Sequence, residues 1–159
     1  MRSAEKTLAS LGIELPQPPA PGGNYVPAKQ VGSVMYLSGA ISTGPDGVIA
    51  GMAGVDRTVE EGYAAARACA LTQLATLKRA LGSLDRVAEV LTVNGYVNAA
   101  PGFGNSPEVI NGASDLLVEV FGEAGRHVRA ALGVSALPRN ALVELQMSVR
   151  VTNESASHE

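Results

Sequence analysis

The sequence predicts one α+β domain in which two long helices cover one face of a mixed β-sheet. Two segments, 58–82 and 106–122, repeat apolar residues at the spacing of an amphipathic helix. They alternate with short β-branched or alternating stretches typical of strands, in the order β-β-α-β-α-β-β after an N-terminal arm. The 159 residues contain no internal repeat and are enough for one hydrophobic core.

The composition argues against several classes of protein. The chain has 12 Lys and Arg against 15 Asp and Glu, so its net charge of −3 lacks the basic character typical of a nucleic-acid-binding protein. Hydrophobic residues make up 46%, which excludes an intrinsically disordered chain. The first residues show no apolar signal-peptide core, and no apolar run reaches the roughly 18 residues of a membrane span. We therefore expect a cytoplasmic protein that binds neither membrane nor nucleic acid.

The chain begins with a short helix and a proline-rich arm. Residues 3–11 suit a helix, with Ser3 as its N-cap and Gly12 in the position that follows a helix C-terminus. The prolines and glycines of residues 14–23 exclude both a helix and a central strand. The expected organisation is an N-terminal helix and arm (1–21), one α+β domain (22–152) and a polar tail (153–159).

A β-hairpin is expected next. Residues 31–41 alternate like a strand, and Pro45, Asp46 and Gly47 predict a turn. After this turn, residues 48–50 can return antiparallel to the first strand.

The first long helix has a clear beginning and end. Thr58 and Glu61 match a capping box, in which each side chain satisfies a free backbone N–H of the first turn. Apolar residues then recur at helical spacing as far as Gly82. Cys69 lies inside this helix and has no partner for an intramolecular disulfide, so we expect a buried, unreactive thiol.

The second long helix begins at Ser106, which we expect to be its N-cap. Pro107 would occupy the first helical position and Glu108 would place a negative charge near the helix N-terminus. Gly122 ends the apolar repeat.

Three later stretches, 86–98, 129–135 and 142–151, predict the remaining strands. The last strand has an apolar face (Val143, Leu145, Met147 and Val149) and a polar face (Glu144, Gln146, Ser148 and Arg150). Because the two helices cover only one sheet face, the uncovered face is half apolar and half polar. This pattern predicts that it packs against another subunit and leaves polar pockets at the junction.

Arg129 is the strongest candidate for a binding residue. A guanidinium can hold a small carboxylate through two parallel hydrogen bonds. Alternation places Arg129 on the strand face opposite Val128 and Leu132, where small neighbours such as Ala131 leave space around it. We expect Gln146 to share this polar face. An arginine on a sheet surface is otherwise usually solvated, so both interpretations stay open.

The sequence contains no motif for a metal site, a phosphate-binding loop or a serine nucleophile. His127 and His158 are far apart, and no cysteine completes a metal-ligand pattern with them. The glycine pairs do not form a phosphate-binding loop, and no nucleophile elbow surrounds a serine. We therefore expect neither a metal nor a cofactor.

Several motifs in their order along the chain resemble the Rid/YjgF family, formerly called L-PSP endoribonucleases. They are Gly22-Gly23-Asn24-Tyr25-Val26, the run from Gly32 to Gly39, Asn111, Arg129, Ala136-Leu137-Pro138 and Val143-Glu144-Leu145. The resemblance covers most of residues 22–151. The N-terminal helix and the loop 102–107 are similar to a longer subgroup of the family.

The resemblance implies a chorismate-mutase-like fold and a homotrimer built around a barrel of sheets, with sites between subunits. RidA-type members hydrolyse reactive enamines and imines such as 2-iminobutanoate and 2-iminopropanoate to 2-keto acids and ammonia. A protonated imine is already a strong electrophile, so the protein mainly has to position it together with a water molecule.

The resemblance also implies roles for particular residues. Arg129 would hold the substrate carboxylate and Gln146 would take part in catalysis. The other implied contacts with substrate are Tyr25, Ser38, Asn111 and the backbone of Gly39 and Ala131. In the active deaminases the position matched to Gln146 carries a Glu, and a glutamine can orient a water molecule but cannot accept its proton.

Two alternatives to imine hydrolysis remain. One is a catalytically weak trimer that binds small carboxylates or keto acids. The other is an endoribonuclease or translation inhibitor, which the acidic charge and the scarcity of aromatic residues (4%) disfavour.

Overall fold

Two long helices lie on one face of a six-stranded sheet in the computed structural model, which describes residues 2–153. The helices are α1 (Ala4–Ser10), α2 (Val59–Leu81) and α3 (Ser106–Phe121). The strands are β1 (Ala28–Val31), β2 (Val34–Leu37), β3 (Ala40–Ile41), β4 (Thr43–Gly44), β5 (Gly47–Val48), β6 (Val87–Asn98), β7 (Val128–Val134) and β8 (Val143–Val151). This is the predicted α+β architecture.

The sheet has the strand order β1-β2-β8-β6-β7, and β3 continues beyond β2 as a second partner of β8. Strands β6 and β7 run parallel, whereas every other pair is antiparallel. The parallel pair follows from α3, which returns the chain to the same end of the sheet before β7 begins. Strand β7 is therefore an edge strand beside α3.

The predicted helix ends agree with the structure at α1 and α2. The Ser3 side chain accepts a hydrogen bond from the Lys6 N–H, and Gly12 has a φ of 70° just beyond the helix. Both hydrogen bonds of the capping box between Thr58 and Glu61 are present, and Gly82 has the left-handed conformation that ends α2.

The N-terminus of α3 differs from the prediction. Its N-cap is Asn105, whose side chain makes no capping hydrogen bond, and Ser106 is already the first helical residue. Pro107 thus occupies the second position. A proline is tolerated there because N–H groups of the first turn have no partner within the helix.

The expected strand 31–41 is interrupted. A turn at Gly32, with a φ of 59°, separates β1 from β2, and the polar segment that forms β1 was not expected to be a strand. A glycine adopts this left-handed conformation without the steric cost of a Cβ. The predicted hairpin turn is present, but its strands shorten to β4 and β5.

The helices and the sheet enclose one hydrophobic core, which includes Ala4 and Leu8 of α1. The uncovered sheet face is mixed, and large apolar side chains are exposed on it, with Val128 71% and Leu132 52% exposed. Between residues 2 and 153, no helix has the length and apolar character to cross a membrane. Residues 154–159 of the expected polar tail lie outside the described residues.

Helix α3 packs closely on α2 through Gly112, where a Cβ atom would overlap the carbonyl oxygen of Tyr63. We expect Gly112→Ala to lower the free energy of unfolding by about 2–3 kcal/mol, because backbone cannot move aside without shifting a helix. For a chain of this size the loss corresponds to a decrease in Tm of about 5 to 10 °C, measured by thermal unfolding.

Gly104→Ala is the matched control, since a Cβ there has open space around it. It should leave stability within about 1 kcal/mol of the parent. Equal destabilisation by both substitutions would contradict the close packing at Gly112.

Candidate active site

Arg129 lies on β7 and its side chain runs along α3. Its Nη1 donates a hydrogen bond to the Ser114 Oγ at 3.0 Å, and its Nη2 donates one to the Pro107 carbonyl oxygen at 3.2 Å. The guanidinium is thereby held by two points of α3 while it stays accessible to solvent. It is a fixed cation rather than a free surface side chain.

Asn111 and Ala131 belong to the same region. Residues 107, 111 and 114 are four and three positions apart, so they share one face of α3 and Asn111 lies between the two contacts of Arg129. Ala131 follows Arg129 by two positions in β7 and faces the same side of the sheet. We call Arg129, Asn111, Ser114 and Ala131 the arginine cluster.

His127 extends this cluster. Its Nε2 lies 2.8 Å from the Ser114 Oγ, and its Nδ1 lies 2.7 Å from the Gly125 carbonyl oxygen. Burial lowers the pKa of His127 and the charge of Arg129 lowers it further, although the hydrogen bond to Gly125 opposes both effects. The imidazole is therefore neutral at pH 7.

Tyr25 and Ser38 lie close together in a second region of the molecule. The Ser38 Oγ donates to the Val26 carbonyl oxygen at 2.7 Å, which fixes the chain immediately after Tyr25. Tyr25 is 49% exposed, and its hydroxyl accepts a hydrogen bond from the Gly22 N–H at 3.1 Å.

The Glu144 carboxylate lies next to Gly39, the residue that follows Ser38. The Glu144 side chain packs against Gly39 so closely that a Cβ at Gly39 would overlap its Oε2. Burial raises the pKa of Glu144. We call Tyr25, Ser38, Gly39 and Glu144 the glutamate cluster.

A buried amide fixes the backbone beneath the glutamate cluster. The Gln73 side chain of α2 donates to the carbonyl oxygens of Ser38 and Leu145, both at 2.9 Å. This side chain therefore ties the segment between β2 and β3 to β8, next to Glu144.

Gln146 does not share a face with Arg129, so that expectation is wrong. Gln146 pairs with Asn94 on the uncovered face, whereas Arg129 pairs with Val93, whose side chain is buried under the helices. Polarity was a poor guide because the apolar Val128 of β7 points to the uncovered face.

The two clusters are separate within one copy of the chain. Glu144 lies on β8 and Arg129 on β7, with β6 between them, so their strands are about 10 Å apart. Tyr96 of β6 pairs with both Glu144 and Leu132, which places Glu144 on the uncovered face, opposite to Arg129. One chain thus presents two incomplete constellations rather than one assembled pocket.

Cys69 has none of the features of a nucleophilic thiol. Cys69 is fully buried and its thiol donates to the Val143 carbonyl oxygen at 3.5 Å. Burial raises the pKa of this thiol, as expected for an unreactive cysteine. Residues 2–153 contain no group of three or more His, Cys, Asp or Glu side chains arranged to hold a metal ion.

Two long helices on one face of a mixed sheet give the protein a YjgF/chorismate mutase-like α+β fold. The model of the family described as "YjgF/chorismate mutase-like, putative endoribonuclease" matches residues 5–150, and the chain belongs to this family. This confirms the resemblance seen in the sequence. Protein TCP17 from Trypanosoma cruzi is 45% identical over 148 residues, which are 92% of each chain.

Solved structures agree with this assignment. A structure named as a putative endoribonuclease from Shewanella oneidensis has a TM-score of 0.90 and 37% identity, over 94% of this chain and 100% of that one. Atu1372 from Agrobacterium tumefaciens has a TM-score of 0.84 and 39% identity, over 94% and 92%. RidA from Psychrobacter is more distant, with a TM-score of 0.58 and 25% identity over 85% and 94%.

The lowered pKa of His127 predicts a pH-dependent stability. An unfolded histidine binds its proton near pH 6.5, whereas folded His127 binds it only at lower pH. Between these values the unfolded state holds more protons, so stability decreases as pH falls below about 6.5. His127→Gln should remove this part of the decrease, measured as the difference in unfolding free energy from the parent between pH 7.5 and 5.

His158→Gln is the control for histidine removal as such, and His158 lies outside the described residues. An unchanged pH slope in His127→Gln would contradict a neutral, partly buried His127.

Proposed function

We propose that the protein hydrolyses reactive enamines and imines of 2-amino acids, of the 2-iminobutanoate and 2-iminopropanoate type, to 2-keto acids and ammonia. The observation that carries the proposal is the Arg129 guanidinium, held on α3 by two hydrogen bonds and open to solvent. Membership of a family that includes a protein named RidA supports this chemistry.

Arg129 would bind the substrate carboxylate. A guanidinium has five N–H donors, and α3 takes two of them, so three remain for the ligand. Two parallel donors suit the two oxygens of a carboxylate and fix the orientation of the adjacent imine carbon. Asn111, on the same face of α3, would donate to the substrate from the side.

Glu144, rather than Gln146, would serve as the proton acceptor. Its raised pKa makes it a stronger base than an ordinary glutamate, and it lies against Gly39 beside Ser38. The water oxygen would attack the carbon of the protonated imine, the C=N π electrons would pass to the nitrogen, and Glu144 would accept a water proton. In the resulting amino alcohol the nitrogen would take that proton back and leave as ammonia with the C–N electron pair. The hydroxyl proton would return to Glu144 as the C=O bond of the 2-keto acid forms, and Glu144 would then pass it to the departing ammonia.

The complete site would form between copies of the chain. The arginine cluster and the glutamate cluster lie on opposite faces of the sheet, so one copy would supply Arg129 and its neighbour Glu144. The exposed Val128 and Leu132 beside Arg129 support contact between subunits through the uncovered face. Three copies around a barrel of sheets, as in the homotrimer that the family resemblance implies, would form three such sites.

A binding function without turnover is the second candidate. The amide at Gln146 favours it, because the active deaminases that the sequence resembles carry a proton-accepting glutamate at this position. A ligand-binding trimer would then take 2-keto acids or other small carboxylates through Arg129 alone.

Arg129→Ala should abolish ammonia release from freshly generated 2-iminobutanoate. The loss of the carboxylate clamp should raise KM and lower kcat/KM by at least about 100-fold, because charge-assisted hydrogen bonds to the substrate disappear. Arg139→Ala is a matched control, since Arg139 lies in the turn between β7 and β8. A parent protein with no rate above buffer would exclude the hydrolase, and ligand-induced stabilisation without turnover would then identify the binding function.

Glu144→Gln should lower kcat by about 100-fold or more while KM changes little, because the amide cannot accept a proton. The activity of the parent should fall on the acid side as Glu144 protonates, beginning above the usual range of a glutamate because its pKa is raised. Gln146→Glu, assayed beside it, tests the alternative position. A gain in that variant with no loss in Glu144→Gln would assign the proton acceptor to position 146.

A further inference from the structure

The contact between Arg129 and Ser114 continues to His127, and the substrate chemistry proposed above does not account for this continuation. The Ser114 Oγ lies 3.0 Å from the Arg129 Nη1 and 2.8 Å from the His127 Nε2. Three side chains, Ser114 of α3, Arg129 of β7 and His127 just before β7, therefore form one hydrogen-bonded row that ends at the Gly125 carbonyl oxygen.

The Gly125 carbonyl oxygen and the neutral state of His127 together set the direction of the hydrogen bonds in this row. A carbonyl oxygen only accepts, so the His127 Nδ1 carries the proton that it donates to Gly125. In the neutral ring the Nε2 then has a lone pair and accepts the hydroxyl proton of Ser114. With its only proton directed to His127, the Ser114 oxygen turns its lone pairs to Arg129 and accepts from the Nη1.

We propose that Ser114 and His127 are positioning residues that hold the Arg129 guanidinium in the orientation in which it binds the substrate carboxylate. The inference rests on the proposed function of Arg129. Neither residue touches the substrate, and both act through Arg129.

His127 gives the Ser114 hydroxyl a proton acceptor other than the backbone. A serine hydroxyl within a helix commonly donates to the carbonyl oxygen four residues earlier, and its lone pairs then take a different direction. The imidazole captures the proton instead. Ser114 is thereby kept as an acceptor for Arg129.

The neutral character of the pair also suits the task. Within residues 2–153, no carboxylate forms an ion pair with Arg129. A carboxylate at position 114 or 127 would orient the guanidinium equally well. Such a carboxylate would also offset the positive charge of Arg129 and compete with the substrate carboxylate. A hydroxyl backed by a neutral imidazole orients Arg129 and leaves its charge for the ligand.

The test is a double-mutant cycle on the full-length protein. We expect Ser114→Ala to raise the KM for 2-iminobutanoate, and the Kd for 2-oxobutanoate as a stable probe, by about tenfold, with kcat changed less than threefold. In the Arg129→Ala background the same substitution should change the Kd less than twofold, because Ser114 acts through Arg129. Ser10→Ala, a helix serine on α1, should leave both constants unchanged.

Substitutions at position 127 separate positioning from packing. His127→Leu removes the acceptor and should weaken binding of 2-oxobutanoate about threefold to tenfold, whereas His127→Gln retains an acceptor near the Nε2 position and should restore most of the affinity. Circular dichroism and Tm establish that each variant is folded. If His127→Leu does not fold, the Ser114→Ala cycle decides alone.

Each outcome separates this inference from the proposed function. Unchanged binding in Arg129→Ala would overturn both. Loss of binding in Arg129→Ala with unchanged binding in Ser114→Ala would overturn only the positioning role. An effect of Ser114→Ala that persists in the Arg129→Ala background would assign Ser114 to structure rather than to positioning.

Discussion

The close approach of α3 to its two neighbours is the constraint on which the candidate site depends. Three glycines make it possible: a Cβ at Gly112 would overlap the backbone of α2, one at Gly62 would press on Val109, and one at Gly95 of β6 would overlap Ile110. Close packing on both sides leaves α3 little freedom to rotate or slide, since interiors are packed to crystal-like density. The face of α3 that carries Pro107 and Ser114 is therefore presented to β7 at hydrogen-bonding distance from Arg129.

The position of β7 at the edge of the sheet explains why this arginine is both fixed and accessible. An interior strand would bury the side chain between neighbours and would require a counter-charge. At the edge, α3 supplies neutral acceptors on one side, a carbonyl oxygen and a hydroxyl, while the other side stays open. The same edge leaves Val128 and Leu132 uncovered on the opposite face, so one strand carries both a ligand-binding group and an apolar surface suited to a second copy.

Local interactions made much of the fold predictable from the sequence. The capping box of α2, the left-handed Gly82 and the alternation of β8 each depend on residues a few positions apart. The strand β1, with the sequence AKQV, has no such local signal, and its pairing with β2 creates it. The faces of β7 were assigned wrongly because alternation gives only the period, and which face lies under α3 is set by pairing with β6.

The same difference between local signals and long-range contacts applies to the candidate site. The resemblance matches the family's glutamate to Gln146, and Glu144 lies two positions earlier on the same face of β8. The contact of Glu144 with Gly39, about 100 residues earlier in the chain, is long-range, so sequence spacing does not predict it. No local sequence pattern predicts the contact between Ser114 and His127, because it requires α3 to turn back onto the residue just before β7.

The separation of the two charged groups within one copy has an electrostatic consequence. A guanidinium beside Glu144 would lower the pKa of that carboxyl, and a direct ion pair would occupy the donors that a substrate needs. With Arg129 on the opposite face and two strands away, burial acts on Glu144 unopposed and raises its pKa. In the proposed assembly, Arg129 of the neighbouring subunit would bring with it the negative charge of the bound carboxylate. The substrate would thus shield Glu144 from the arginine, so that Glu144 keeps the basicity needed to accept a proton from water.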